Sequence, residues 1–113
     1  MAQNTVLQLL PQTAYNGSNQ TVLGTKRPAA GYYLANKDLQ TITWSITNAT
    51  GFIVIKATLA TDPGIDDWFI VQSIPFTSLT QNSYTNIVGN YVWIKADLIS
   101  FTQGVVNHVK VSY

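Results

Sequence analysis

The segment LQTITWSIT, residues 39–47, decides the fold class. Its large apolar residues Ile42, Trp44 and Ile46 alternate with threonine and serine. A period of two residues places alternate side chains on opposite faces of an extended strand, one face buried and the other in solvent. We therefore expect a half-buried β-strand here, with Trp44 in the core.

The same alternation continues through most of the chain. It predicts further strands in TVLQLL (5–10), QTVLGT (20–25), GYYLAN (31–36), FIVIKATLA (52–60), WFIVQSI (68–74), YTNIV (84–88), YVWIKADLI (91–99) and VVNHVKVSY (105–113). The strand at 52–60 should direct Ile53, Ile55, Ala57 and Leu59 inward. No segment shows the 3.6-residue period of a helix, and the abundant β-branched residues also disfavour one.

Short polar stretches separate these strands and predict the turns. NATG (48–51) is expected to be a hairpin loop, TSLTQNS (77–83) a polar connection and Gly104 the last turn. Gly89-Asn90 predicts a tight two-residue hairpin in which Gly89 has a positive φ. About eight short strands with regular turns indicate an antiparallel sandwich or barrel. The prediction is an all-β protein, with residues 1–113 forming a single jelly-roll-like β-sandwich domain.

The composition argues against several classes of function. Only 10% of the residues are charged, against about 25% in typical domains, and glutamate is absent. The six Lys and Arg residues are scattered, so no positive stripe for nucleic acid is expected. Cysteine is absent, which excludes disulfides and thiolate metal sites. The chain begins without a signal-peptide pattern and contains no apolar run of membrane-spanning length. We expect a protein made in the cytoplasm, with no cofactor and no membrane partner.

The segment TDPGIDDW, residues 61–68, holds three of the five acidic residues: Asp62, Asp66 and Asp67. The pattern is not an EF-hand, which ends in glutamate, but the three carboxylates could supply some oxygen ligands to Ca²⁺. The alternative is a turn in which Asp62 caps, Pro63 presets φ and the other two acids are solvated. We favour the turn and keep calcium as the minority hypothesis.

Catalytic arrangements are not evident in the sequence. Asp66 and Asp67 are adjacent and would point to opposite sides of an extended backbone, which makes them a poor acid–base pair. His108 is the sole histidine, no G-x-S-x-G motif is present, and its alternation with Lys110 and Ser112 predicts a solvent-facing strand position. We expect no catalytic residues and no enzyme activity.

Aromatic residues on a polar strand face are the main candidates for a binding site. Tyr91 and Trp93 share the face of their strand that lies opposite its aliphatic residues. Such aromatics can anchor a protein–protein interface, lie beneath a covering loop or stack on sugars. We predict that Tyr91 and Trp93 form an interface, with Phe52 as a weaker third member.

The C-terminal half resembles small β-sandwich modules of tailed-bacteriophage virion proteins. The likeness covers roughly residues 52–113 and rests on a Trp-led strand after a polar loop, a GNY-x-W-[IV]-[KR]-A strand, an F-x-x-G turn and a closing V-x-V-x-Y strand. The matching residues here are Trp68, Gly89, Asn90, Tyr91, Trp93, Ile94, Lys95, Ala96, Phe101, Gly104, Val109, Val111 and Tyr113. The loop DPGIDDW departs from the simpler D-G-x-x-W of those modules.

This resemblance implies a virion building block of the capsid-decoration, tail, baseplate or fibre type. The expectation is a non-enzymatic structural protein that docks to copies of itself, as a homo-oligomer, or to a larger virion protein. The alternative is a carbohydrate-binding module for host recognition that uses Trp93, Tyr91 and the Asp62–Asp67 loop.

Overall fold

The computed structural model of the chain describes residues 6–31 and 38–113. The described chain is almost entirely β-structure in one antiparallel sheet, which confirms the predicted all-β class. The strands are β1 (Val6–Leu10), β2 (Thr13–Ala14), β3 (Gln20–Leu23), β4 (Arg27–Pro28), β5 (Leu39–Thr58), β6 (Phe69–Val88) and β7 (Trp93–Ser112), with a 3₁₀ turn at Ile65–Asp67. The strand predicted at 31–36 lies almost wholly outside the described residues.

Three strands of 20 residues each dominate the sheet. The order is β1-β7-β5-β6, so β5 lies between β7 and β6 and is antiparallel to both. The short strands β2, β3 and β4 pair one after another along the other side of β7. Among the described strands, β6 therefore forms one complete edge of the sheet.

All three long strands bend at the same level, which we call the corner. The corner is marked by five residues with positive φ: Asn48 and Gly51 in β5, Ser78 in β6, and Ser100 and Gly104 in β7. The register between the strands shifts at the same places, as expected for β-bulges. The bulge in β5 also reverses the phase of burial, so its inward residues are Gln40, Ile42, Trp44 and Ile46 before the corner and Ala49, Gly51, Ile53, Ile55 and Ala57 after it.

The corner folds the sheet back on itself. Val88 pairs with Leu39 at the start of β5 and Trp93 pairs with Thr58 at its end, yet only four residues separate β6 from β7. A straight strand of 20 residues would extend about 66 Å, far more than so short a link can span. The longest dimension of the described chain is 42 Å. The two ends of β5 are therefore close together, and the halves of the sheet face each other across the core.

Contacts between the two halves hold this arrangement together. The Tyr113 hydroxyl, after the end of β7, donates to the Pro28 carbonyl at 2.7 Å, and Pro28 pairs with Trp93 at the start of β7. Arg27 Nε donates to the Gln8 carbonyl at 3.0 Å, which joins β4 to β1. Between the halves lies a core rich in Ile, Leu, Val and Ala, with Phe101 its largest fully buried side chain.

Gln40 is a fully buried polar residue at the point where the two halves meet. Its amide nitrogen lies 2.9 Å from the Ile87 carbonyl, 3.0 Å from that of Asp38 and 3.1 Å from that of Gly89. Its amide oxygen accepts from the Ala30 N–H at 3.1 Å. A buried amide is stable only when such partners are present. This side chain links three separate segments of backbone, at residues 30, 38 and 87–89.

Several predicted turns were wrong. Residues 48–51, 77–83 and Gly104 lie inside β5, β6 and β7 instead of between strands, because their positive φ values bend a strand that remains paired. The predicted Gly89-Asn90 hairpin is wrong as well: β6 and β7 lie on opposite sides of β5, and Gly89 does not have a positive φ. Leu59 was predicted to point inward but is 63% exposed, because β5 ends at Thr58.

Candidate functional site

Phe52 occupies the outer face of the sheet just beyond the corner. It pairs with Pro75 of β6 on one side and Ile99 of β7 on the other, which gives a short apolar row across three strands. Phe52 is 41% exposed, and Pro75 is exposed as well. Of the three predicted interface residues, Phe52 is the most accessible.

Trp93 lies on the same outer face but is largely covered. Its indole N–H donates to the Thr61 carbonyl at 2.9 Å, so the segment after β5 folds over it. The Lys26 ammonium lies 4.5 Å from the centre of the ring, within cation–π range. Trp93 pairs with Thr58 of β5, which lies six residues along that strand from Phe52. The two aromatics therefore do not form one continuous patch.

Tyr91 precedes β7, in the four-residue link after β6. Its ring lies edge-on to Phe69, with 5.7 Å between the ring centres, and it packs against the core. The Tyr91 carbonyl accepts from the Gly31 N–H at 3.0 Å. The structure thus places Tyr91 in a packing role and does not bring it together with Phe52.

The acidic segment 61–68 forms a compact turn. The Asp67 carboxylate accepts from the Gly64 N–H at 2.7 Å, and the Asp67 N–H donates back to the Gly64 carbonyl at 3.2 Å. This reciprocal pair organises the 3₁₀ turn, so the segment is a turn as expected. The capping role expected of Asp62 belongs instead to Asp67, which was expected only to be solvated. Within residues 6–31 and 38–113, no three His, Cys, Asp or Glu side chains are grouped as metal ligands would be.

A buried ion-pair cluster lies beneath this turn and was missed by the sequence analysis. Asp97 is 1% exposed, and its Oδ2 lies 3.0 Å from Lys56 Nζ and 3.7 Å from Lys95 Nζ. Oδ2 has no partner in hydrogen-bonding geometry, whereas Oδ1 accepts from the Gly24 N–H at 3.1 Å. Asp97 shares the outer face of its strand with Trp93, as the alternation in residues 91–99 predicts, and it is buried there against Lys56, Lys95 and Gly24.

The same cluster forms the floor of a cleft of about 410 Å³. Trp68 forms part of the wall, and Lys95 Nζ lies 5.1 Å from the centre of its ring. An aromatic face beside charged donors and acceptors is a combination that can hold a polar ligand. The cleft is lined by Leu23, Lys56, Pro63, Gly64, Ile65, Trp68, Lys95 and Asp97.

The edge strand β6 presents a long surface without charge. Its sequence, FIVQSIPFTSLTQNSYTNIV, contains no charged residue. Tyr84 and Val88 are 65% and 68% exposed on the outer face, and Ile70 is 62% exposed beyond the corner. Natural proteins commonly protect an exposed edge with lysine, other charges, proline or bulges. Of these devices β6 has Pro75 and the bend at Ser78, both outside the segment 81–88.

His108 is half-buried, less open to solvent than its alternation predicted. Burial, with a smaller contribution from the nearby positive charge of Lys110, lowers the pKa of its imidazole below the usual value. Its Nδ1 is buried and makes no hydrogen bond in the described structure.

No helix in the described ranges combines the length and apolarity needed to cross a lipid bilayer. Comparison of the chain with known protein families, with curated proteins and with solved structures gave no match.

Proposed function

We propose that this chain is a non-enzymatic structural protein of a phage virion that works by docking to copies of itself or to a larger virion protein. The observation that carries the proposal is the exposed, uncharged edge strand β6. Backbone N–H and C=O groups along a sheet edge can pair with another strand, and charge-free side chains do not oppose such contact.

The exposed apolar row beside this edge supports the same proposal. Phe52 and Pro75 are both exposed and belong to the paired strands β5 and β6, so an edge partner would also meet an apolar surface. Interface cores are depleted in charge and enriched in aromatic residues. The low overall charge of the chain fits a protein that functions in contact with neighbours.

An antiserum against the purified protein tests the proposal directly. We expect it to label intact particles of the phage whose genome encodes the chain, in electron micrographs of purified virions. The matched control is the same serum depleted with the purified protein, which should lose the labelling. Reaction with infected-cell extract but not with purified particles would contradict the proposed function.

A carbohydrate-binding module is the second candidate, and the cleft favours it. Trp68 offers a stacking face, while the partly exposed Lys56 and Lys95 offer donors for sugar hydroxyls. This cleft includes part of the Asp62–Asp67 loop expected from the sequence, but Trp68 takes the place of Tyr91 and Trp93. On a glycan array with and without Ca²⁺, Trp68→Ala should abolish binding while Phe52→Ala retains it. Equal binding by both variants would contradict this candidate.

A further inference from the structure

Residues 81–88 are the most regular part of the exposed edge. They pair with β5 in eight consecutive positions without a register shift, from Gln81 opposite Ile46 to Val88 opposite Leu39. The segment contains no proline, glycine or charged residue. It is therefore an extended ladder about 26 Å long whose second side has no neighbour among the described strands.

Two asparagines on the outer face of this segment already belong to a polar ladder. Asn82 Oδ1 accepts from the Ser45 hydroxyl at 2.5 Å, and Asn86 Oδ1 accepts from the Thr41 hydroxyl at 2.7 Å. Ser45 in turn accepts from Asn107 of β7 at 3.1 Å, so the ladder crosses three strands. Within the described chain, neither Asn82 Nδ2 nor Asn86 Nδ2 makes a hydrogen bond, and each amide retains donors for another partner.

We infer that this segment pairs in antiparallel fashion with the same segment of a second copy, about a two-fold axis at Tyr84. The inference rests on the proposed function and specifies its contact. A two-fold axis perpendicular to the sheet keeps the cores of both copies on the same side of the joined sheet. Such an axis passes through one residue of the segment, and residues at equal distances on either side of that residue pair with each other. Pairing about Tyr84 places the two Tyr84 rings opposite each other and Asn82 opposite Asn86 of the second copy.

The neighbouring registers are less favourable. An axis at Ser83 would set Asn82 against Tyr84, and an axis at Thr85 would set Tyr84 against Asn86. In both, the asparagine pairs are lost and the exposed aromatic faces an amide. The Tyr84 register instead forms an aromatic pair and two amide pairs, and these cross-strand pairs are the side-chain contacts that stabilise sheets. A two-fold axis brings identical residues near each other, so a charged residue in this segment would face a like charge. The absence of charge removes this repulsion and therefore favours a second copy as the partner.

Disulfide trapping tests the register, since the chain has no cysteine of its own. Directly opposed Cβ atoms lie about 4.5–5.5 Å apart, close to the reach of a disulfide, so Tyr84→Cys should form a covalent dimer under mild oxidation. Val88→Cys is the control because it lies on the same face of the same strand and is 68% exposed, and its counterpart would be about 26 Å away across the axis. Equal trapping of both variants would overturn the inferred register.

Sedimentation equilibrium tests the contact without a cross-link. An interface of this length is at the small end of specific contacts, so the average mass should rise from 12.4 kDa towards the dimer between about 10 µM and about 1 mM protein. Tyr84→Lys and Tyr84→Glu should each weaken association about tenfold, and their equimolar mixture should restore it because opposite charges then meet at the axis.

The outcomes separate this inference from the proposed function. Wild-type protein that remains monomeric throughout this range overturns the β6 contact and leaves docking to another virion protein intact. Val6→Lys, on the opposite edge of the sheet, is the matched control and should associate like the wild-type protein. If Tyr84→Lys and Tyr84→Glu associate as strongly as this control, the β6 contact is also overturned. Far-UV circular dichroism should show the Tyr84 and Val6 variants folded, because these side chains are 65% and 58% exposed. Failure of the particle-labelling experiment would contradict the proposed function even if the protein dimerised.

Discussion

Replacing Asp97 tests whether the buried ion-pair cluster stabilises the folded sheet. Asp97→Asn keeps the shape of the side chain and an oxygen that can accept from the Gly24 N–H, but it removes the charge that faces Lys56 and Lys95. Loss of one partner from a fully buried ion pair costs about 3–5 kcal/mol. Here the lysine side chains are 32% and 19% exposed and can turn towards water, so we expect a smaller loss of about 1–2 kcal/mol.

Asp97→Ala should cost more than Asp97→Asn. It also leaves the Gly24 N–H without its acceptor, and an unsatisfied buried donor costs about 1–3 kcal/mol. The total loss for alanine should therefore be about 2–4 kcal/mol in the free energy of unfolding. In a domain of this size each kcal/mol lowers the melting temperature by about 4 °C.

Urea unfolding followed by tryptophan fluorescence and circular dichroism measures both losses. The midpoint should fall while the slope with denaturant stays constant, since the surface exposed on unfolding is unchanged. Asp66→Asn, in the exposed turn, is the charge-matched control and should leave the midpoint at its wild-type value. A double-mutant cycle with Lys56→Met should give a favourable coupling energy of about 0.5 kcal/mol or more. If Asp97→Asn behaves like Asp66→Asn, the cluster does not stabilise the fold.

Three further predictions concern the corner, the buried amide and the histidine. Gly104→Ala should lower the free energy of unfolding by about 3 kcal/mol or more, because φ is +84° and a Cβ would overlap the Asn48 carbonyl. Gly17→Ala is the control: its φ is +95° but the space around it is open, so it should cost only about 1 kcal/mol in the same urea titration. Gln40→Leu should lower the free energy of unfolding by about 2–4 kcal/mol, since four backbone groups lose their partner and the bonds to two of them, Ala30 and Ile87, are buried. A wild-type midpoint would contradict this role. The lowered pKa of His108 means that the unfolded chain binds a proton at a higher pH than the folded chain, so stability should fall as pH drops below about 6.5. His108→Gln should reduce that pH dependence, and an identical profile in the variant would rule out this contribution.

The strand faces could be predicted from the sequence because burial follows local alternation. Ile42, Trp44 and Ile46 are buried as expected, and Val109 and Val111 at the end of β7 are buried as well. A period of two was therefore sufficient to assign each face.

The corner could not be predicted, because a bend and a hairpin use the same residues. Asn48 and Gly51 supply positive φ in either case, and only the partner strands determine whether the chain continues or reverses. The same limit applies to the strand order. A four-residue link normally joins neighbouring strands, whereas here the folded sheet brings the start and end of β5 together.

The candidate sites depended equally on tertiary structure. Trp93 and Asp97 lie on the outer face, as alternation predicts, but neither is open to solvent. The segment after β5 covers Trp93, and Asp97 is buried against Lys56, Lys95 and Gly24. Lys56 and Asp97 are opposite charges on the outward positions of two predicted strands, and that pattern could have indicated a cross-strand ion pair. The exposed edge of β6 had no local signal, since edge and central strands are defined only by the sheet.

The position of β7 in the sheet has a consequence for biosynthesis. Every one of the strands β1 to β5 pairs with β7, and β7 is made after all of them. While the ribosome is still synthesising residues 93–112, the earlier strands can complete only the β5–β6 pair. The nascent chain therefore exposes the uncharged β6 edge and an unpaired β5 edge at the same time, and long-range β pairing of this kind is slow. The complete sheet can form only after β7 has left the ribosome. At high expression levels, nascent chains must be kept from associating with one another until then.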